Sequence, residues 1–132
     1  MKRLLLDTSA YSHLMRGNEQ IANILDRADE VFINAVVIGE LLAGFKRGGK
    51  EKLNCTILHD FLSVDTVSIL YLDDTTAERY AIILEYLKKT GTPIPANDIW
   101  IAANAMQHGL VLLTTDHHFS CIPQVVSEIV PV

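Results

Sequence analysis

The sequence predicts an α/β fold of three layers, with a central, mostly parallel five-stranded sheet covered by helices on both faces. Three observations predict it. Five short apolar runs alternate with longer stretches of helical period. The runs place apolar residues consecutively rather than only at every second position, which predicts burial of both faces, as in parallel sheets with helical crossovers. Gly17, Gly48, Gly91 and Gly109 fall where the helices between the runs should stop.

Taken in order, RLLLD (3–7) is the first strand, and helical stretches over 9–16 and 18–28 follow it. VFIN (31–34) is the second strand, followed by helices over 36–47 and 50–63. VSILYL (67–72) is the third, and a long helix over 75–90 succeeds it. In TGTPIPAND the two prolines force an extended approach, after which Asn97 or Asp98 opens a helix over 97–108. LVLLT (110–114) and VVSEIV (125–130) complete the sheet. No repeat, linker or low-complexity tract interrupts the pattern, so residues 1–132 read as one domain.

Composition narrows the function. A chain of 132 residues with 49% apolar and 20% charged residues is globular, not disordered. A net charge of -5 argues against nucleic-acid binding by bulk basicity. It leaves room for an acidic site whose bound cations reverse the local sign. Cys55 and Cys121 have no zinc spacing and suit a reducing cytosol, and their apolar neighbours predict two buried thiols. Only three leucines separate Arg3 from Asp7, too few for a secretion signal. The uncharged stretch over 99–115 is broken by Asn104, Gln107, His108 and Gly109, short of the ~20 apolar residues of a membrane span. A cytoplasmic protein without membrane contact is expected.

Four carboxylates stand out. Asp7 ends the first strand, and in sheets of this kind ligands collect at the carboxyl ends of strands. Its plain alternative is a cap for the helix that follows. Glu40 is the only charge in NAVVIGELLAGF, and a lone carboxylate among apolar residues must find a partner, a metal or a proton. Asp98 shares a helical stripe with Ile101, Ala102 and Ala105, which carries it toward the sheet. Asp116 follows the fourth strand directly, where a turn residue is the plain alternative. All four belong to one edge. Carboxylates ~4 Å apart at an effective dielectric of ~20 repel by about 4 kcal/mol per pair, and oxygen ligation of Mg²⁺ or Mn²⁺ relieves this. Such an ion facing an anionic substrate suits phosphodiester hydrolysis.

With LLLDTSAY at the start, IGELLAG around Glu40, GTPIPANDIWIAANA around Asp98 and LLTTDHHF around Asp116, the chain resembles a PIN domain. More narrowly, it resembles the VapC-type ribonuclease toxins of toxin–antitoxin pairs. The resemblance spans nearly the whole chain. It implies a metal-dependent endoribonuclease acting on single-stranded RNA, with Asp7, Glu40, Asp98 and Asp116 as metal-site acids. Thr8 or Ser9, together with Thr114, would orient them. It further implies a cognate antitoxin and a homodimer. The histidines after Asp116 depart from the charged residues common there.

Other features read more plainly. Adjacent His117 and His118 point apart on a turn, so no transition-metal site is expected of them. Lys46 and Arg47, with Lys50 and Lys52, could steer RNA or form a solvated basic loop. Tyr11, Leu14 and Met15 read as core. Two rival functions are a catalytically silent PIN-like binding module and a Mg²⁺-binding receiver domain. The receiver needs an acceptor acid after its third strand, where Asp73 and Asp74 sit, and a later lysine that is missing.

Overall fold

The computed structural model describes residues 2–132. Its strands are β1 (Arg3–Leu6), β2 (Glu30–Asn34), β3 (Val67–Leu70), β4 (Val111–Thr114) and β5 (Ser127–Ile129). Its helices are α1 (Thr8–Met15), α2 (Glu19–Asp26), α3 (Ala35–Arg47), α4 (Glu51–Leu62), α5 (Asp74–Thr90) and α6 (Ala96–His108). A short 3₁₀ turn, His117–Cys121, lies where only a turn was expected.

The strands form one sheet in the order β3-β2-β1-β4-β5, and every pairing is parallel. Leu4, Leu5 and Leu6 are wholly buried, as a central strand with helices on both faces requires. The chain steps outward from β1 to β3, then returns to the other side of β1 with β4. Strand order therefore reverses between β1 and β4, and their carboxyl ends diverge to leave a crevice there. Leu5 pairs with Leu112 across this junction, and the Asp7 N–H donates to the Leu113 carbonyl at 2.9 Å. This order also removes the receiver reading, whose sheet runs 2-1-3-4-5. Asp73 caps α5 instead, accepting from the Thr76 N–H in a capping box.

Helix ends largely follow the expected signals. Gly91 and Gly109 take left-handed conformations, with φ of 67° and 63°, at the ends of α5 and α6. However, α6 starts at Ala96, with Pro95 at the cap position, so neither Asn97 nor Asp98 opens it. Proline needs no N–H there, and its fixed φ suits a helix entrance. The stripe of Ile101, Ala102 and Ala105 is wholly buried. On another face of α6, Trp100 stacks on Tyr80 of α5 with ring centroids 4.2 Å apart.

Three local expectations need correcting. Cys121 is exposed and Cys55 only half-buried. Phe119 and Ile122 take the inward positions around Cys121, and Leu58 does so on α4. Met15 is 44% exposed, because the end of α1 turns past the core that holds Tyr11. Among the described residues, no helix is long and apolar enough to cross a membrane.

A buried amide pair ties two of the site-bearing helices together. Asn34 ends β2 and caps α3, its Oδ1 accepting from the Val37 N–H at 3.0 Å. Its Nδ2 donates to Oδ1 of Asn104 on α6 at 3.1 Å, and neither residue is exposed. Asn104→Leu keeps the branched shape, at somewhat greater volume, but strands the Asn34 amide in a dry interior, an expected loss of about 1–3 kcal/mol. Urea melts measure it, and unchanged stability would show that the amide finds another partner.

Candidate metal centre

Asp7 is the innermost acid, 4% exposed at the end of the central strand. It occupies the cap position of α1, yet its side chain makes no capping hydrogen bond. Instead two hydroxyls converge on its Oδ2: Thr114 donates at 2.7 Å and Ser9 at 2.9 Å. The hydroxyls are themselves held. Ser9 Oγ accepts from the Thr115 N–H at 3.1 Å, and Thr114 Oγ1 accepts from the Asp116 N–H at 3.0 Å. Burial raises the Asp7 carboxyl above its ordinary range; the Thr114 and Ser9 hydroxyls oppose that, while the nearby Glu40 charge adds to it.

Asp98 reaches the same crevice from the first turn of α6. Desolvation first, then the charges of Asp7 and Asp116, push its carboxyl up to about 6. Glu40 adds to the rise, and His118 opposes it. Asp116 caps the 3₁₀ turn by accepting from the His118 N–H at 2.9 Å, so the plain reading of this residue holds as well. Capping occupies only one edge of its carboxylate, and Asp116 still acts on Asp98.

Glu40 is half-exposed at the mouth of the crevice rather than lost among apolar residues. Thr8 donates to its Oε1 at 2.6 Å, and Asn97 Nδ2 to its Oε2 at 3.3 Å. The two candidate hydroxyls, Thr8 and Ser9, thus serve different acids: Ser9 supports Asp7, and Thr8 supports Glu40. All four expected acids come together. Beside Glu40 runs a cavity of about 510 Å³, lined also by Gly39, Ala43, Asn97 and Arg47. Of the basic residues near Gly48, Arg47 faces this cavity, whereas Lys46 is paired with Glu51 at 2.9 Å.

Two neighbours escaped the reading of the sequence. Asn97 is one, next to Asp98 on the chain but bonded to Glu40. His118 is the other. Its Nδ1 lies 3.5 Å from Asp98 Oδ2 and 3.4 Å from Asp116 Oδ1, and one ligand atom from each of the three residues falls within 4.8 Å of the others. His118 therefore joins the site, although no metal site was expected of the histidine pair.

The donor set fits a hard divalent cation. Oxygen atoms dominate it, their mutual repulsion is unrelieved, and hydroxyls hold Asp7 in one orientation. Asp98, Asp116 and His118 bring ligand atoms close enough to hold such an ion, with the Asp7 charge acting on Asp98 from the floor of the crevice and Glu40 at the rim.

A three-layer, wholly parallel α/β fold with acids at the switch point of its sheet defines the class. Within that class, the PIN domain model matches residues 4–124, and the chain belongs to the PIN domain family. It is 35% identical over 124 residues to Toxin FitB of Neisseria gonorrhoeae, covering 86% of this chain and 87% of that protein. It is 28% identical over 127 residues to Ribonuclease VapC4 of Mycobacterium tuberculosis, covering 95% of each. The structure superposes on VapBC-5 of M. tuberculosis, a member of the VapBC family of toxin–antitoxin systems, with a TM-score of 0.73. The identity there is 26%, and the match covers 100% of both chains.

Proposed function

We propose that the chain is a VapC-type endoribonuclease, the toxin of a toxin–antitoxin pair, which hydrolyses phosphodiester bonds in single-stranded RNA with Mg²⁺ or Mn²⁺. The observation that carries this reading is the meeting of Asp7, Asp98 and Asp116 at the β1–β4 crevice, with Glu40 at its mouth. The names of the ribonuclease and toxin relatives support it.

When bound, the ion supplies Lewis acidity that lowers the pKa of water and neutralises phosphate oxygens. Asp7, Asp98 and Asp116 would hold it. Thr114 and Ser9 keep the Asp7 carboxylate from rotating, so its position is set before substrate arrives. Glu40, steadied by Thr8 and Asn97, faces the cavity and can accept a proton from the attacking water at its carboxylate. Arg47, on the same cavity, can meet the RNA backbone. Lys46 must first give up Glu51. Water as nucleophile leaves the ribose 2′-OH unused, so the products carry 5′-phosphates.

Incubating the purified protein with single-stranded RNA tests this. Cleavage is expected with Mg²⁺ or Mn²⁺, none is expected in excess EDTA, and the new ends should be 5′-phosphates. EDTA-resistant cleavage, or cyclic 2′,3′-phosphate ends, would sink the mechanism. RNA binding without cleavage in either ion would favour the silent module.

The elevated Asp98 carboxyl also sets a pH dependence. A cation and a proton compete for this carboxylate, so stabilisation by Mg²⁺ should be full near pH 8 and shrink as the pH falls through about 6. Thermal melts with and without Mg²⁺ across that range check the sign. An increment as large at pH 5 as at pH 8 would remove Asp98 from the ion.

The cognate antitoxin should inhibit by covering this acidic edge, with a basic side chain among the carboxylates. A homodimer is the expected assembly of the toxin. A complex that blocks cleavage while leaving Asp7 and Asp98 open to solvent would contradict the inhibitory mode.

A further inference from the structure

We infer that His118 is a nitrogen ligand of the metal and tilts this site toward Mn²⁺ over Mg²⁺. The inference rests on the metal-dependent reading of the acids. Its first ground is distance. Separations of 3.4 and 3.5 Å from Nδ1 to the two carboxylate oxygens exceed the 2.7–2.9 Å of a good charge-assisted hydrogen bond. They approach the ~3 Å that separates adjacent donors around an ion with bonds of ~2.1 Å. The imidazole therefore stands as one more corner of a coordination shell rather than as a tight ion-pair partner.

The second ground is how the histidine is held. Its backbone N–H donates to Asp116 at 2.9 Å, and the next residue, Phe119, is 1% exposed in the core. Those two anchors fix the Cα of a side chain that is itself 55% exposed. The ring can adjust by tenths of an ångström toward an ion without disturbing the fold. Chemistry decides the preference. Mg²⁺ favours oxygen in a near-ideal octahedron and sheds water reluctantly, whereas first-row transition ions accept imidazole. Carboxylates joined by one imidazole therefore favour Mn²⁺ over Mg²⁺.

Calorimetric titration of the full chain with Mn²⁺ and Mg²⁺ separately, for wild type, His118→Ala and Asp98→Asn, tests this. The wild type is expected to bind Mn²⁺ more tightly than Mg²⁺. His118→Ala should lose about tenfold in Mn²⁺ affinity and at most about twofold in Mg²⁺ affinity, in line with losses seen when groups around a metal are removed. Pulsed EPR of the Mn²⁺ form, made with ¹⁵N-histidine, should show nitrogen coupling that His118→Ala abolishes. Absent coupling, or equal losses for both ions, overturns the role of His118. If Asp98→Asn weakens both ions in that case, the acid site itself stands. If Asp98→Asn leaves both affinities intact, the acid site falls, and the histidine role falls with it.

Discussion

Asp98→Asn is expected to make the metal-free protein more stable near pH 8 while cutting cleavage at least ~100-fold, the scale of losing one preorganised electrostatic contact in an active site. The two effects have one cause. At pH 8 the Asp98 carboxylate is charged, largely desolvated and close to Asp7 and Asp116, and each of these disfavours the charge. The amide has similar shape and no charge. It forfeits the helix-dipole interaction of a first-turn acid, worth ~0.3–1 kcal/mol, and the side-chain contact with His118. Relief of burial and repulsion outweighs both, for a net gain of about 1 kcal/mol after solvent screening.

The pH profile carries the sign. The Asp98 carboxyl titrates at about 6 in the fold against 3.8 in the unfolded chain, so the folded state holds this proton more tightly. Its contribution to metal-free stability is full below 3.8 and is lost as the pH rises through about 6. That is the reverse of an acid held by a salt bridge. Asp98→Asn should flatten this part of the curve, and Mg²⁺ should stabilise the variant far less than the wild type. Denaturant melts at several pH values, with and without Mg²⁺, read all of it. A variant less stable without metal, normally stabilised by Mg²⁺ and still active would return Asp98 to a dipole role.

The inner strands β1, β2 and β4 were legible because their side chains are largely apolar on both faces, a local property that survives any arrangement of neighbours, whereas the edge strands β3 and β5 mix in Ser68, Ser127 and Glu128. Asp98 was legible for a related reason: the phase of a helix is local, and Ile101, Ala102 and Ala105 fix which way it faces. Contacts between distant segments were not. Asn34 and Asn104 lie 70 residues apart and pair only once α6 crosses the end of β2. In a linear reading, Asn104 only broke an apolar run. The order β3-β2-β1-β4-β5 likewise depends on which strands become neighbours, and five similar apolar runs do not encode that. For His118, adjacency to His117 on a turn gives no local sign of a site. The 3₁₀ turn then set one of the pair toward Asp98, a geometry fixed by the burial of Phe119. Cys121 failed in the opposite sense, since apolar neighbours on so short a turn leave it the outward position.

Thr114→Val is expected to disable the site without removing a single acid. Thr114 is wholly buried, and its hydroxyl donates to Asp7 while accepting from the Asp116 N–H. Valine has nearly the same shape and neither capacity. The Asp116 N–H then loses its partner, and Asp7 loses the strongest of the hydrogen bonds that oppose its desolvation. A cost of about 1–3 kcal/mol in metal-free stability follows at pH 8. Freed from one of two anchors, the Asp7 carboxylate can rotate, and displacement of a reacting group by ~1 Å costs on the order of 100-fold in rate. Thr114→Ser keeps the hydroxyl and gives up one methyl, about 0.8 kcal/mol, so it should fold nearly as well and cleave at close to the normal rate. The stability gap between wild type and Thr114→Val should narrow as acid protonates Asp7, whose carboxyl titrates above 3.8 in the fold. It narrows because the bond being lost is a bond to the charged form. Urea melts of the three proteins from pH 8 down through the acid range, beside cleavage rates with Mg²⁺, distinguish positioning from packing. Equal losses in the serine and valine variants would assign Thr114 to packing alone.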